Sequence, residues 1–375
     1  MRRILLLACA VVFVDTLFFV ALTPLLPHYV DTLGLGKTGA GVLAAAYPIG
    51  AFVGAIPSGI VAARAGVKPT VLVGMTAVAA CIVLFGLCNE AWQLDTVRFV
   101  QGLASAFTWT GALAWLVLAS PAARRGSLIG TAFAAAVGGA LFGPVLGGVA
   151  SVAGTGWSFG IVGVASLALA TWAAVIPAPQ PQEQQPLSMF LRALRDRRIL
   201  LGVWFVCLPA MLFGTLSVLA PLKLSDLGFS AVAIGAVYLC SAAVESANNI
   251  LVGRASDRRG PLFPIKLGLA GSIVVASLLP WPENAYALAF LVVCGGLAFG
   301  AFFTPSMTML SQRADERGLD YGYAFALVNI AWAPGQSLGA AGGGALAQAT
   351  SDTFVYLLLA GVCALTLAGV LRLRS

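Results

Sequence analysis

The stretch GSLIGTAFAAAVGGALFGPVLGG, residues 126–148, decides how the rest of the chain is read. Within it Gly139, Gly143 and Gly147 recur every four residues, so they stack on one face of a helix. Pro144 sits among them, where it removes a backbone donor and bends the helix. Such a glycine ribbon lets another helix approach backbone to backbone, the packing used inside membranes. The same text returns 192 residues later: Gly318, Gly322, Ala324, Phe325, Gly335 and Gly339 match Gly126, Gly130, Ala132, Phe133, Gly143 and Gly147. A duplication is the simplest reading, and the question becomes what two such halves do together.

Composition sets the solvent. Hydrophobic residues make up 60% and charged residues 9% of 375, with a mean hydropathy of +0.96. No soluble core needs that ratio, so the chain reads as an all-α, polytopic membrane protein whose first partner is the lipid bilayer. The net charge of +7 does not ask for nucleic acid. Seven cysteines lie mostly inside apolar runs with no C-x-x-C pair, and His28 is the single histidine. Neither a disulfide framework nor a metal site is expected, and no cofactor is implied. Arg2-Arg3 before an apolar run resembles a secretory signal, but the run passes Asp15 and reaches Pro27 without a good small-x-small cleavage site. It is read as a first span.

Cutting the apolar runs at charged or Gly/Pro breaks gives twelve candidate spans, about 4–30, 38–62, 69–88, 91–119, 127–153, 157–176, 199–223, 229–252, 262–280, 284–311, 321–348 and 353–371. Each is near the ~20 residues a bilayer crossing needs. Eighteen of the 21 Lys and Arg residues, from Arg2 and Arg3 to Arg372 and Arg374, fall on one side. Lys37 and Lys223 fall on the other, and Arg98 lies inside a span. The basic side is therefore expected to be cytoplasmic, with both termini inside and the protein in the plasma (inner) membrane as a monomer. Residues 1–176 and 199–375 are read as six-helix halves, joined by a cytoplasmic linker at 177–198. The run Pro177 to Pro186 is polar and Pro-rich and cannot span. After it Leu187, Phe190, Leu191 and Leu194 share a face opposed by Arg192, Arg195 and Arg198, which suggests a helix lying on anionic lipid; the plainer alternative is the solvated foot of span seven. Gly59, Arg64 and Gly66 match Gly253, Arg258 and Gly260 at an offset of 194. Six spans plus six is the plan of alternating-access carriers, in which two halves rock about a midplane site.

These residues resemble the major facilitator superfamily across essentially the whole chain. Gly139-x3-Gly143-Pro144-x2-Gly147-Gly148 is similar to that family's antiporter signature on span five, which accompanies exporters. Arg98-x2-Gln101-Gly102 resembles its fourth-span motif. The stretch from Gly253 through Asp257 and Arg258 to Gly260 matches its cytoplasmic-loop motif, whose first-half copy has Ala63 where the family usually has Asp. Span one, with Asp15 and Pro24-Leu-Leu-Pro27-His-Tyr29, and span eleven, with Gly335-Gln336-Ser-Leu-Gly339, look like the drug:proton antiporter branch. The resemblance implies a secondary transporter; within it Asp15, Arg98 and Glu245, as ionisable residues inside spans, are the candidates for proton coupling.

Ionisable groups inside a bilayer are costly and by default mark an ion or substrate path. Asp15 lies twelve residues after Arg3, about 18 Å into the membrane. A carboxyl held out of water resists ionisation and suits the uptake and release of a proton; the alternative is a permanently protonated packing residue. Arg98 shares a face with Gln101, Gly102, Ser105 and Trp109, and a simple pair with Asp95 competes with a functional reading. Direct contact with the deeper Asp15 is not expected, and Gln101 or a water would bridge. Glu245, flanked by Tyr238, Ser241, Asn248 and Asn249, reads as a cavity wall or as a carboxyl bonded to loop arginines. Asn329, Trp332 and Gln336 are cavity candidates or interhelical glue. Asp257 is expected at a helix boundary, accepting backbone donors and pairing with Arg124 or Arg125 as a latch. The reading is proton-driven export of small amphipathic compounds, with carriage of a polar metabolite such as a sugar as runner-up. A membrane enzyme lacks any nucleophile–base motif, metal cluster or phosphate loop.

Overall fold

A hydrocarbon core offers no hydrogen bonds, so every backbone amide must be satisfied within its own segment, and helices are the local solution. The computed structural model describes residues 1–121, 124–177, 185–319 and 321–372, and among these the regular structure is all helical. Twelve membrane-scale helices follow in order: α1 (Arg2–Leu33), α2 (Lys37–Arg64), α3 (Val67–Phe85), α4 (Ala91–Leu118), α5 (Arg125–Ala153) and α6 (Thr155–Val175). After a short linker helix (Leu187–Ala193) come α7 (Arg197–Asp226), α8 (Ala231–Arg259), α9 (Leu262–Leu278), α10 (Ala285–Glu316), α11 (321–349) and α12 (Asp352–Arg372). Nine of them are long and apolar enough to cross a membrane by composition alone. The other three each carry a reason: α4 bears the Arg98 stripe, α9 has 17 residues, and α11 is interrupted by a π turn at Leu338–Gly342.

Breaks follow the backbone chemistry. In α1 Pro24 lies within a tight 3-10 turn at Thr23–Leu25, and helix resumes at Leu26 with Pro27 in its first turn. Gly66 and Gly260, partners in the repeat, both adopt positive φ (95° and 78°) between α2 and α3 and between α8 and α9. That region favours glycine, so the turn chemistry is duplicated with the sequence.

The packing shows the same duplication. In the first half α1 packs on α5, α2 on α4, α3 on α4 and on α6, and α1 on α4. Six helices on, α7 packs on α11, α8 on α10, α9 on α10 and on α12, and α7 on α10. The halves meet mainly through α2 against α11 and α5 against α8, which are symmetry mates of one another. The fold is two pseudo-symmetric six-helix halves.

Two sequence expectations change here. Helix α8 runs on to Arg259, so Gly253, Asp257 and Arg258 are helical rather than loop residues. The linker helix is docked on protein through Phe190, the aromatic residue of its apolar face. Phe190 is buried and stacks on Tyr323, with ring centroids 5.1 Å apart. Gln185 Nε2 donates to Gly318 O (2.6 Å), Tyr323 Oη donates to Gln185 O (3.1 Å), and Asp196 pairs with Arg317. The α10–α11 turn thus buries the aromatic ring that the spacing alone assigns to lipid. Leu191 stays exposed, as do Arg192, Arg195 and Arg198. Residues 178–184 of the expected linker, the Leu187 side chain and Arg374 lie outside the described residues.

Candidate functional site

The glycine ribbon fixes the turn of α1 that carries Asp15. A Cβ at Gly139 would strike Phe13 O, one at Gly143 would lie 2.7 Å from Leu17 O, and one at Gly147 would strike Ala21 O. Those three carbonyls bracket and follow Asp15, so α5 holds the carboxyl's segment at backbone contact. On the other side, Gly102 of α4 closes on Tyr47 O of α2, and a side chain there would displace Tyr47. Pro144 and Gly148 face the second half instead. A Cβ at Gly235 would come 2.6 Å from Pro144 O, and one at Gly148 would come 3.3 Å from Val232 Cα.

Asp15 is 1% exposed. Its Oδ2 accepts from Tyr47 Oη (2.8 Å), Ser105 Oγ (2.6 Å) and Trp109 Nε1 (2.8 Å). Tyr47 Oη and Ser105 Oγ are themselves 2.6 Å apart. Three oxygens therefore form a triangle with three hydrogen-bond-length edges. The two hydroxyls bring two protons, and each edge needs one. With Asp15 ionised, one edge is left as a bare contact between lone pairs. With Asp15 protonated on Oδ2, all three edges close. Oδ1 has no hydrogen-bond partner.

Arg98, also 1% exposed, directs its hydrogen bonds elsewhere than the carboxyl. Nη1 donates to Gln101 Oε1 (3.0 Å) and Nη2 to Phe19 O (3.2 Å). The rings of Phe18, Phe19, Tyr47 and Phe85 surround its Cζ at 5.2–5.9 Å. Asp15 and Arg98 form no ion pair, and the competing Asp95–Arg98 pair is not formed either. Gln101 holds the guanidinium but does not bridge to Asp15: its Nε2, like Arg98 Nε, is buried without a partner. Trp332 of α11 meets Phe19 edge to face at 5.6 Å, which brings the second half against this site.

Elsewhere the expected cavity residues are used in packing. Tyr238 Oη donates to Leu216 O (2.7 Å), Ser241 Oγ to Val292 O (3.3 Å), and Thr304 Oγ1 donates to Asn249 Oδ1 (2.9 Å). These bonds turn the α8 stripe towards α7 and α10, because a polar group in the bilayer takes the nearest backbone or side-chain partner. Glu245 packs over Gly300, where a Cβ would come 2.5 Å from its Cγ. It forms no ion pair with the arginines at the end of α8. Asn329 is partly buried, and Gln336 is buried with its backbone against Gly214 of α7. Asp257 sits in the last turn of α8, where the free backbone groups are carbonyls and not donors. The expected cap cannot form there, and no ion pair with Arg124 or Arg125 is made; Arg125 Nε donates to Ser120 O. Gly59, Arg64 and Gly66 end α2 and turn into α3.

The sequence reading missed Tyr47. A signal was present: Tyr47 is the repeat partner of Ser241 at the offset of 194, so a polar group stood at the matching place in both halves.

Comparison with known proteins agrees with the fold. The family model described as Major Facilitator Superfamily matches residues 8–335. An uncharacterised MFS-type transporter, YcaD, of Salmonella enteritidis is 24% identical over 376 residues, covering 99% of this chain and 96% of that protein. Among solved structures, a mutant of the nucleoside transporter NupG superposes with a TM-score of 0.80 at 14% identity, covering 99% of this chain and 100% of that one. A D-xylose–proton symporter gives 0.77 at 13% identity, covering 98% and 97%.

Proposed function

The chain belongs to the Major Facilitator Superfamily of membrane transporters, and on that premise we propose that it is a proton-coupled secondary carrier that exports small amphipathic compounds by alternating access. The observation that carries the reading is the oxygen triangle at Asp15, Tyr47 and Ser105, which is complete only with one added proton. Asp15 is the proton carrier. Arg98 supplies a fixed positive charge in the same half without neutralising the carboxyl directly. Glu245 is a second exchangeable carboxyl, in the other half. Substrate contacts are assigned to Gln101, Ser105, Trp109, Trp332, Gln336, Asn329 and the α8 stripe as the halves part.

Export by antiport rests on the glycine signature of α5 and on the resemblance of span one to the drug:proton antiporter branch. Phe19 and Trp332, which meet across the seam between the halves, offer aromatic faces to an apolar, flat ligand as the halves part. One charge crossing 100 mV supplies about 2.3 kcal/mol before any pH difference is added, enough to drive accumulation. The arginine-rich end is placed in the cytoplasm, with residues 1–176 and 199–375 as the moving halves, in a monomer of the inner membrane.

The second reading is carriage of a polar metabolite, which the nucleoside and D-xylose substrates of the structural neighbours bring to mind. Everted vesicles holding a pH gradient separate the two. A panel of fluorescent amphipathic compounds should include members whose addition collapses the gradient in a protein-dependent manner. A protein-dependent change of lumenal pH, of either sign, on adding sugars or nucleosides and with none of the amphipathic compounds would replace the first reading with the second.

A further inference from the structure

Three ion pairs form between described residues, and one of them joins the two halves: Lys37 Nζ to Asp352 Oδ1 at 2.5 Å. It lies at the end of the molecule away from the arginines, between the first turn of α2 and the first turn of α12. Lys37 is in the wrong place for its own helix. A cation in the first turn opposes the helix dipole, whereas Asp352 in the first turn of α12 complements it. The lysine is therefore explained by its partner across the interface and not by the stability of α2.

A second contact sits beside the first. The N-cap of α2 is Gly36, which has no side chain to cap the free amides that follow. The cap is supplied in trans: Thr38 N donates to Gln348 Oε1 of α11 at 2.8 Å. Any side chain at position 36 would collide with that same oxygen. Close backbone approach continues along the seam, where a Cβ at Gly344 would strike Lys37 O and one at Gly41 would strike Ala340 O. The ion pair, the trans cap and the glycine contacts all tie α2 to the far half.

We propose that Lys37, Asp352 and Gln348 form the latch of the gate at this end, which must break before the buried site can open to that side. The assignment holds for either direction of transport and for any substrate, so it stands apart from the reading of Asp15.

The test uses the full chain with its seven native cysteines replaced and spin labels at Thr32→Cys and Asp226→Cys, on exposed ends of α1 and α7. Their separation reports whether this end is shut. Unmodified at the latch, the protein should show mainly the short distance. Lys37→Asp and Asp352→Lys each place like charges together and should raise the long-distance population roughly three- to fivefold, the range of a partly exposed pair. Combining them should restore the short distance. Gln348→Leu should give a smaller rise that the charge swap does not correct. Lys37→Gln is the milder replacement where a reversed charge prevents insertion. Unchanged distances in the single variants, or a double variant no more closed than either single, would overturn the latch.

Discussion

Asp15 and Arg98 share the interior of the first half without touching, and each is fully enclosed. A direct pair would lock both charges in place, since breaking a buried pair is costly. Apart, the carboxyl is left to its hydroxyl partners and its proton is exchangeable. Tyr47→Phe and Ser105→Ala each remove one vertex of the triangle with little change of volume. The single remaining oxygen edge then needs one proton, which the surviving hydroxyl supplies, so the demand for a proton on Asp15 is gone. Both variants should reach the membrane in normal amounts and lose about tenfold in gradient-driven transport, the scale of a strong buried hydrogen bond; everted-vesicle rates with quantitative blotting check this. Near-normal rates in both would show that the triangle is a packing feature. Asp15, Arg98, Ser105 and Trp109 were legible because an ionisable or polar residue in an apolar run is conspicuous. Tyr47 was not, because a tyrosine in a span reads as an interface aromatic until its oxygen is seen against a carboxylate.

The glycine ribbon is the element on which the site depends, and its spacing alone identified the face of α5. Its counterpart in the second half uses Gly335 against Cys207 O and Gly339 against Met211 O. Not every glycine in the stretch is alike. A Cβ at Gly130 would meet nothing within 4 Å, whereas one at Gly143 would meet Leu17 O at 2.7 Å. Gly130→Ala should therefore be neutral or raise thermal stability by up to roughly 1 kcal/mol. Gly143→Leu should cost about 1–3 kcal/mol through overpacking and abolish transport, because the displaced helix carries Asp15. Melting of the purified variants distinguishes them; equal stability would mean that α5 is not seated on α1 as described. The linker helix is the converse case. Its amphipathic spacing was plain, but spacing reports only that one face is apolar. What covers that face, Tyr323 and the α10–α11 turn, lies 133 residues beyond Phe190 in the chain, and no local pattern carries that information.

At the scale of the whole molecule, the duplication and the twelve spans were legible because bilayer thickness and the glycine repeat both impose a regular period. Contacts between the halves were not: Lys37 and Asp352 are 315 residues apart and carry no shared motif. The orientation drawn from the arginines predicts that a membrane-impermeant thiol reagent labels Asp226→Cys from outside intact cells and Arg197→Cys only after permeabilisation, in the cysteine-free chain. The reverse pattern would invert the carrier. The most direct measurement on the central claim is Asp15→Asn in everted vesicles, with gradient-driven accumulation and gradient-free exchange followed side by side on the same transported compound. Loss of accumulation with exchange retained is the predicted result, because the amide preserves the shape of the site and cannot cycle a proton. Accumulation by Asp15→Asn equal to that of the unmodified protein would contradict the assignment of Asp15 as the proton carrier.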